Sequence, residues 1–293
     1  MAGDPAFSRN PRPTPPRRPP ARAIFLDRAL EALPLFRLSD SAEETTILFT
    51  PPAGGRWRVL PAPGDRLPGT FDQDVYVEIC RRYQDSGTPD DGTVSFTLHA
   101  FLRSIGRRAD GRTYEQLRAA LNRLERTALE SSGAYWNAAT GEPLEGRFTV
   151  LSAVSIDRRR TADREQLALF PTFTASEPGD ARVILSPLVR ANIARGHSTT
   201  LSPQLYQGLS SPVARRLYRL LEVARADDTV TWRIELEALA EQVPLVQRYP
   251  SHLQRVLQPA HEMLQTAGIV RDARVHQIRK QWYVDYVLAT RPT

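Results

Sequence analysis

The chain has 293 residues, 41% of them hydrophobic and 25% charged, which is a globular composition long enough for two domains of ordinary size. Its one cysteine, Cys80, excludes an intramolecular disulfide and a cysteine-rich zinc site, and favours a reducing cytoplasm. Since no hydrophobic leader and no apolar stretch of membrane-spanning length occurs, we expect a soluble protein without a membrane partner.

Positive charge is concentrated near the N-terminus. The formal net charge is +6, and residues 1–23 hold five arginines against the single acid Asp4. This segment is also rich in proline, which prevents helix and sheet pairing, so it predicts a disordered, basic arm. A nucleic-acid surface in the rest of the chain must therefore depend on local patches rather than on bulk charge.

Short strands and a helix are predicted after the arm. Thr46–Thr50 and Arg56–Leu60 are strand-like runs separated by proline and glycine. The spacing of apolar residues over Asp74–Tyr83 predicts a helix with one buried face.

An approximate internal repeat follows, in which residues 93–129 resemble residues 229–267. Each copy has a short alternating strand, a short helix, a polar turn and a longer helix with an apolar stripe at the i, i+3, i+4 spacing. Two strands come after each long helix. The predicted long helices are Thr113–Leu129 and Ser251–Ala267, and the predicted strand pairs are Ala134–Asn137 with Arg147–Ile156 and Ile269–Val275 with Trp282–Leu288.

This order of elements is that of a winged helix. We therefore predict an α+β fold with two tandem winged-helix domains and a disordered N-terminal arm: residues 1–23 form the arm, 24–175 the first domain and 176–293 the second. The long helix of such a domain fits the major groove while the hairpin lies along the DNA backbone, which predicts binding to double-stranded DNA. A role in protein contact alone is the alternative, because fold does not determine function.

The second long helix and the residues before it supply the first set of DNA-binding candidates. Arginine and glutamine can pair bidentately with guanine and adenine, and no acid that would repel phosphate occurs between residues 248 and 261. His261 is also expected on the exposed face. The candidates are Arg248, Tyr249, Ser251, His252, Gln254, Arg255 and Gln258.

The following hairpin is predicted to act as a basic wing. It carries Arg271, Arg274, Arg279 and Lys280 against Asp272, with Arg279 and Lys280 next to its turn. Of these we take Arg274, Arg279 and Lys280 as DNA-binding candidates.

The first long helix supplies a weaker set of candidates, because Glu115, Glu125 and Glu130 dilute its charge. A basic run between the two repeats is either a solvated loop or a phosphate contact. The helix candidates are Thr113, Tyr114, Gln116, Arg118, Asn122 and Arg123, and those of the run are Arg158, Arg159 and Arg160.

The common enzyme motifs are missing. The only lysine is Lys280 and no phosphate-binding loop occurs, which excludes a P-loop ATPase. The five histidines are not at the spacing of a nickase or of a metalloprotease. We therefore expect no enzymatic activity, no metal site and no cofactor.

Three segments resemble the plasmid replication initiator protein A family, which belongs to the class of initiators with two winged helices. They are Leu209–Leu221, which resembles the helix that opens the family's C-terminal domain, His252–Ala260, which resembles its recognition helix with an internal proline, and Leu67–Tyr76, which resembles the start of its first domain. The likeness extends over roughly residues 55–290.

The resemblance implies binding of monomers to repeated sites at a replication origin, local opening of the duplex and recruitment of host replication proteins. It also implies a cytoplasmic, nucleoid-associated location and a possible homodimer that represses its own gene. The main alternative is a dimeric winged-helix transcriptional regulator.

Overall fold

The computed structural model describes residues 22–38, 46–156, 181–225, 230–245 and 249–290. Within these ranges no helix is long and apolar enough to cross a lipid bilayer. The predicted arm lies, up to residue 21, outside them. In chain order the elements are β1 (Ile24–Asp27), α1 (Arg28–Glu31), β2 (Ile47–Phe49), β3 (Arg56–Leu60), α2 (Thr70–Asp85), β4 (Thr93–Phe96), α3 (Leu98–Ser104), α4 (Gly111–Arg126), β5 (Ala128–Asn137), β6 (Glu142–Phe148), β7 (Leu151–Ile156), β8 (Ala181–Leu185), α5 (Pro187–Ala194), β9 (Ser198–Leu201), α6 (Pro203–Gly208), α7 (Pro212–Arg225), β10 (Thr231–Glu235), α8 (Leu236–Gln242), α9 (Pro250–Thr266), β11 (Val270–Ile278) and β12 (Gln281–Leu288).

The C-terminal part of the chain forms a winged helix, termed here the second unit, from α7, β10, α8, α9, β11 and β12. Its antiparallel sheet has the order β10-β12-β11, and α9 is its recognition helix. The predicted apolar stripe of α9 is confirmed, since Leu253, Leu257, Ala260 and Leu264 are buried.

The same topology recurs in the first unit, which consists of α2, β4, α3, α4, β7 and β8. Its sheet has the order β4-β8-β7, which matches β10-β12-β11 strand for strand. The recognition helix α4 buries Leu117, Leu121 and Leu124, as its apolar spacing predicts. The sequence repeat is therefore a repeated winged helix.

The hairpin predicted for the first unit is wrong. The run Arg147–Ile156 is not one strand, because the chain turns at Thr149 and Val150 and divides it between β6 and β7. Strands β5 and β6 form an inserted hairpin in a different sheet, and β7 pairs with β8 instead. The sequence gives no sign of this division, because apolar and polar residues alternate on both sides of the turn.

The predicted domain boundary after residue 175 also needs correction. Strand β8 lies beyond that residue, yet it pairs with β4 and β7 and completes the first unit's sheet. Residues 157–180, which join β7 to β8, lie outside the described residues. The predicted basic run of Arg158, Arg159 and Arg160 lies among these residues, outside the part of the chain that the structure describes.

The inserted hairpin completes a four-stranded sheet with the order β2-β3-β5-β6. Its inner face buries Trp57 against Tyr135, with the ring centroids 6.5 Å apart. On its outer face the carboxylate of Glu130 accepts hydrogen bonds from Arg58 at 2.8 Å and from Arg147 at 3.0 and 3.1 Å. These cross-strand ion pairs are open to solvent, so each contributes little to stability.

Asp27 joins three parts of the fold through a buried carboxylate. It accepts hydrogen bonds from the backbone N–H groups of Ala29 and Leu30, from the Tyr135 hydroxyl at 2.5 Å and from Asn192 Nδ2 at 2.9 Å. Burial raises the pKa of Asp27 to about 7, although these hydrogen bonds oppose the shift.

A raised pKa makes stability depend on pH, since the folded protein then binds the Asp27 proton more tightly than the unfolded chain. The favourable contribution is complete below about pH 4 and is lost as pH rises through about 7. We expect Asp27→Asn to flatten the dependence of unfolding free energy on pH over this window, measured by urea denaturation at several pH values. An unchanged slope would show that Asp27 titrates normally in the folded protein.

Candidate nucleic-acid interface

The N-terminal half of α9 exposes most of the predicted base-contacting side chains. The predicted residues Ser251, His252, Arg255 and Gln258 are exposed and Gln254 is half-exposed, on the side opposite the buried stripe. The free backbone N–H groups in the first turn of the helix add partial positive charge at this end.

Tyr249 precedes the helix as its N-cap residue and is 70% exposed. Its ring meets the ring of His252 edge-on, with the centroids 5.8 Å apart. The remaining candidate of this set, Arg248, lies outside the described residues. From Tyr249 to His261 the described helix carries no acidic side chain.

His261 is not exposed as predicted, but buried between α9 and β12. Its Nε2 atom lies 2.8 Å from the hydroxyl of Tyr286, and the two rings meet edge-on. Burial lowers the pKa of His261 to about 4, so this imidazole is neutral at physiological pH. It adjoins the inward residue Ala260 on the helix, which explains why it faces the core.

Pro259 lies inside α9, which continues through it to Thr266. Because proline has no N–H group, the carbonyl of Arg255 receives no helical hydrogen bond from this position. The exposed residue Arg255 therefore lies where the helix lacks one backbone hydrogen bond.

The hairpin of β11 and β12 closes with a two-residue turn, Arg279-Lys280, between the paired residues Ile278 and Gln281. Both basic side chains are exposed at this tip, as predicted. Arg279 has a positive φ of 58°, a conformation that favours glycine in such turns. Arg274, farther back on β11, is exposed but forms an ion pair with Asp272 at 2.6 Å.

The candidates on α4 mostly make contacts within the protein. Thr113 forms a capping box with Asp110. Tyr114 is half-buried, and Arg118 forms an ion pair with Glu115 at 2.7 Å. The candidates that the structure leaves exposed on this helix are Gln116 and Asn122.

Arg123 was predicted to be exposed, and this is wrong. Its side chain is 7% exposed and donates to both carboxylate oxygens of Asp72, at 2.9 and 3.1 Å. A bidentate ion pair of this kind satisfies the guanidinium inside the protein, so Arg123 joins α4 to α2 and does not face DNA.

Four exposed arginines that the sequence analysis did not select surround the turn between α3 and α4. Asp110, the acid within this stretch, is engaged in capping α4, and Arg107 lies 3.7 Å from the carboxylate of Asp74. Arg112 lies in the first turn of α4, where a positive charge is unfavourable unless an anion binds nearby. Its position therefore favours a phosphate contact. The occurrence of four arginines within ten residues is the sequence signal that could have identified them. They are Arg103, Arg107, Arg108 and Arg112.

The chain is similar in sequence or in structure to several known proteins. A “Putative replication protein” of Wigglesworthia glossinidia brevipalpis is 32% identical over 75 residues, which make up 24% of this chain and 27% of that protein. The solved structure of domains 2 and 3 of RctB superposes with a TM-score of 0.55 and 12% identity, covering 87% of this chain and 95% of that one. The Pi initiator protein, solved in complex with iteron DNA, gives a TM-score of 0.49 with 13% identity over 76% of this chain and 95% of its own.

The match to the RctB domains shows the fold alone. Family membership is shown by the match to a family model. The model named “Replication initiator protein A” matches residues 26–263, which include α1 through most of α9 and so span both recognition helices. The chain therefore belongs to the replication initiator protein A family.

Proposed function

We propose that the protein binds repeated double-stranded sites at a replication origin, one monomer on each site, and promotes replication of its replicon. The observation that carries the proposal is the N-terminal half of α9, which exposes polar, aromatic and basic side chains without an acid and belongs to the same unit as the basic turn Arg279-Lys280. Membership of an initiator family supports replication as the process that this DNA binding serves.

The second unit supplies the sequence readout in this proposal. The major groove of B-DNA is about 12 Å wide and admits a helix such as α9. Arg255 can pair with guanine O6 and N7, and Gln254 or Gln258 with adenine N6 and N7. Tyr249 and Ser251 are positioned at the helix start to contact phosphate.

The first unit contributes more affinity than sequence preference. Only Gln116 and Asn122 among its candidates are exposed and suited to base edges, whereas Arg108 and Arg112 are suited to phosphates. The run Arg158–Arg160, which lies outside the described residues, would add phosphate contacts through its positive charge.

Further steps of the proposal are local duplex opening, recruitment of host replication proteins and repression by a homodimer. They are supported by the resemblance to the family. A dimeric transcriptional regulator would use the same surfaces on an inverted repeat, and the following experiment separates the two functions.

The test is selection of bound sequences from a random duplex pool, followed by titration of the selected duplex at several salt concentrations. Directly repeated sites, each occupied by one molecule, are expected for an initiator. A single inverted repeat bound by a dimer would instead indicate a regulator, and no enrichment would contradict sequence-specific binding.

Arg279→Gly is expected to raise stability and weaken DNA binding together. Glycine relieves a positive φ that costs an arginine about 1 kcal/mol, so the melting temperature should rise. Loss of one phosphate-contacting charge should lower affinity for all duplexes and reduce the salt slope by about one. Thermal melting and salt-dependent titrations measure the two effects.

The matched control is Lys280→Gly in the same turn. Lys280 does not have a positive φ, so glycine there removes a charge without relieving the backbone. Its affinity should fall similarly while its melting temperature does not rise. If both variants melt alike, the conformation of Arg279 is not under strain.

A further inference from the structure

The buried carboxylate of Glu31 lies between two arginines of α7. Arg219 donates to its two oxygens at 2.9 and 3.0 Å, and Arg216 approaches Oε2 at 3.4 Å. The side chains of all three residues are at most 3% exposed. Because Glu31 ends α1, these ion pairs join the N-terminal part of the chain to the first helix of the second unit.

Arg216 also binds backbone carbonyls from two separate regions. It donates to the carbonyls of Glu31 at 2.9 Å and Leu33 at 3.0 Å, and to that of Gln242 at 3.0 and 3.2 Å. Gln242 is the last residue of α8, and the turn after it leads to α9. Since the last carbonyls of a helix lack helical partners, this guanidinium helps fix the direction in which the chain leaves α8.

The same arginine-rich face of α7 reaches the first helix of the first unit. Arg219 donates to Gln73 Oε1 at 2.7 Å, and Arg215 donates to Asp74 Oδ2 at 2.5 Å. Gln73 in turn donates to the carbonyl of Pro212 at 3.3 Å. Glu31, Gln73, Arg216 and Arg219 are termed the inter-unit cluster.

Stability alone does not account for the inter-unit cluster. Desolvating two guanidiniums against one carboxylate is costly, and apolar side chains of similar volume often stabilise a core as well or better. A planar guanidinium, however, binds several acceptors in fixed directions, which an apolar contact cannot do. The cluster is therefore better suited to defining an orientation than to holding the units together.

We propose that the inter-unit cluster fixes the orientation of α9 relative to α4, so that the protein selects DNA sites by the spacing between the stretches that its two recognition helices contact. Arg216 is the main positioning residue, because it links the end of α8 to α1. Strand β1, directly before α1, is in turn hydrogen-bonded to α2 of the first unit through the backbone of Phe25 and the side-chain amide of Gln84, at 2.9 and 2.7 Å. The selection of spacing rests on the proposed function, whereas the fixed orientation is a property of the protein without DNA.

The orientation is tested on the full chain in the absence of DNA. Spin labels on Arg126→Cys and Gln265→Cys, both exposed near the ends of α4 and α9, report the distance between the helices, and Cys80 is buried. We expect Arg216→Lys to broaden the distance distribution about twofold, because one ammonium cannot hold all the acceptors in fixed directions.

The matched control is Arg225→Lys on the same helix. Arg225 donates to Glu222 and to the carbonyls of Ala289 and Ile269, all within the second unit. Its replacement should leave the distribution as narrow as in the parent. Equal widths for the two variants would overturn the proposal. If Arg216→Lys does not fold, Gln73→Ala is judged by the same criterion, since it removes the contacts of Gln73 with Arg219 and the Pro212 carbonyl and keeps the pair of Arg215 with Asp74.

The spacing is tested with variants of the selected duplex. In these variants the stretches contacted by α4 and α9 are moved apart by up to roughly five base pairs, which is half a helical turn. The parent should lose about tenfold in affinity, because moving the stretches apart takes the bases proposed to pair with Gln116 and Asn122 of α4 out of reach, while the phosphate contacts of the first unit are kept. Arg216→Lys should lose less affinity than the parent when the stretches are moved apart. Its affinity for a duplex that carries only the stretch contacted by α9 should equal that of the parent. Identical spacing profiles would overturn the proposal. If the parent protein shows no sequence preference, the proposed function is wrong. The distances between the spin labels still test whether the cluster fixes the orientation of the two helices.

Discussion

Glu31→Gln is expected to lower the free energy of unfolding by about 3–5 kcal/mol, because it leaves two buried guanidiniums without a counter-charge. Burial and the neighbouring Arg219 lower the pKa of Arg216 to about 10, although Glu31 opposes the shift. A guanidinium keeps its proton in proteins at neutral pH, so the variant does not escape the penalty by deprotonation. Urea denaturation at neutral pH measures the loss.

Glu130→Gln provides the matched control. The Glu130 carboxylate also contacts two arginines, Arg58 and Arg147, but on a solvent-exposed sheet face. Water screens these pairs, so the control should cost far less than Glu31→Gln. If the two variants are equally stable, the carbonyls around Arg216 and the amide of Gln73 suffice to hold the arginines, and Glu31 has no special role.

The repeated winged helix could be predicted because its determinants are local. Apolar spacing alone placed Leu117 and Leu121 inside α4, and Leu253 and Leu257 inside α9. The order of elements then followed along the chain. The insertion of β5 and β6 was missed because it depends on which strands pair, and alternation carries no information about pairing partners.

The buried arginines could not be predicted, because each depends on a partner distant in sequence. Arg123 follows Asn122 on the polar flank of α4, and only the approach of Asp72 on α2 buries it. Arg216 and Arg219 are likewise buried only because Glu31 folds against α7. Arginine is ordinarily exposed, so a sequence-based assignment places such residues at the surface by default.

The first unit's candidate surface also changed between sequence and structure, but through local contacts. Exposure was inferred from the helical position, yet Thr113 and Arg118 bind neighbours on their own helix. The arginines around the α3–α4 turn are exposed instead. On α9 the candidates from Ser251 to Gln258 are exposed or half-exposed, although Gln258 donates to Glu262 at 2.9 Å, whereas the predicted exposure of His261 is wrong. Sequence readout is therefore expected to depend mainly on the second unit.

Arg255→Ala should weaken binding to the selected duplex by about 1–3 kcal/mol and relax the preference at one base position. The side chain is exposed on the outer face of α9 and forms no ion pair with any described residue, so its removal should leave the fold intact. Binding to random duplex should change much less, because a base contact contributes to specific binding alone. Repeating the duplex selection with the variant identifies the relaxed position.

Lys280→Ala distinguishes a base contact from a phosphate contact in the same unit. It should weaken selected and random duplexes alike and lower the salt slope by about one if, as proposed, the turn of β11 and β12 contacts phosphates, since such contacts do not depend on base sequence. If Arg255→Ala also reduced both affinities equally, Arg255 would be a phosphate contact, and base readout by α9 would have to come from Gln254 and Gln258.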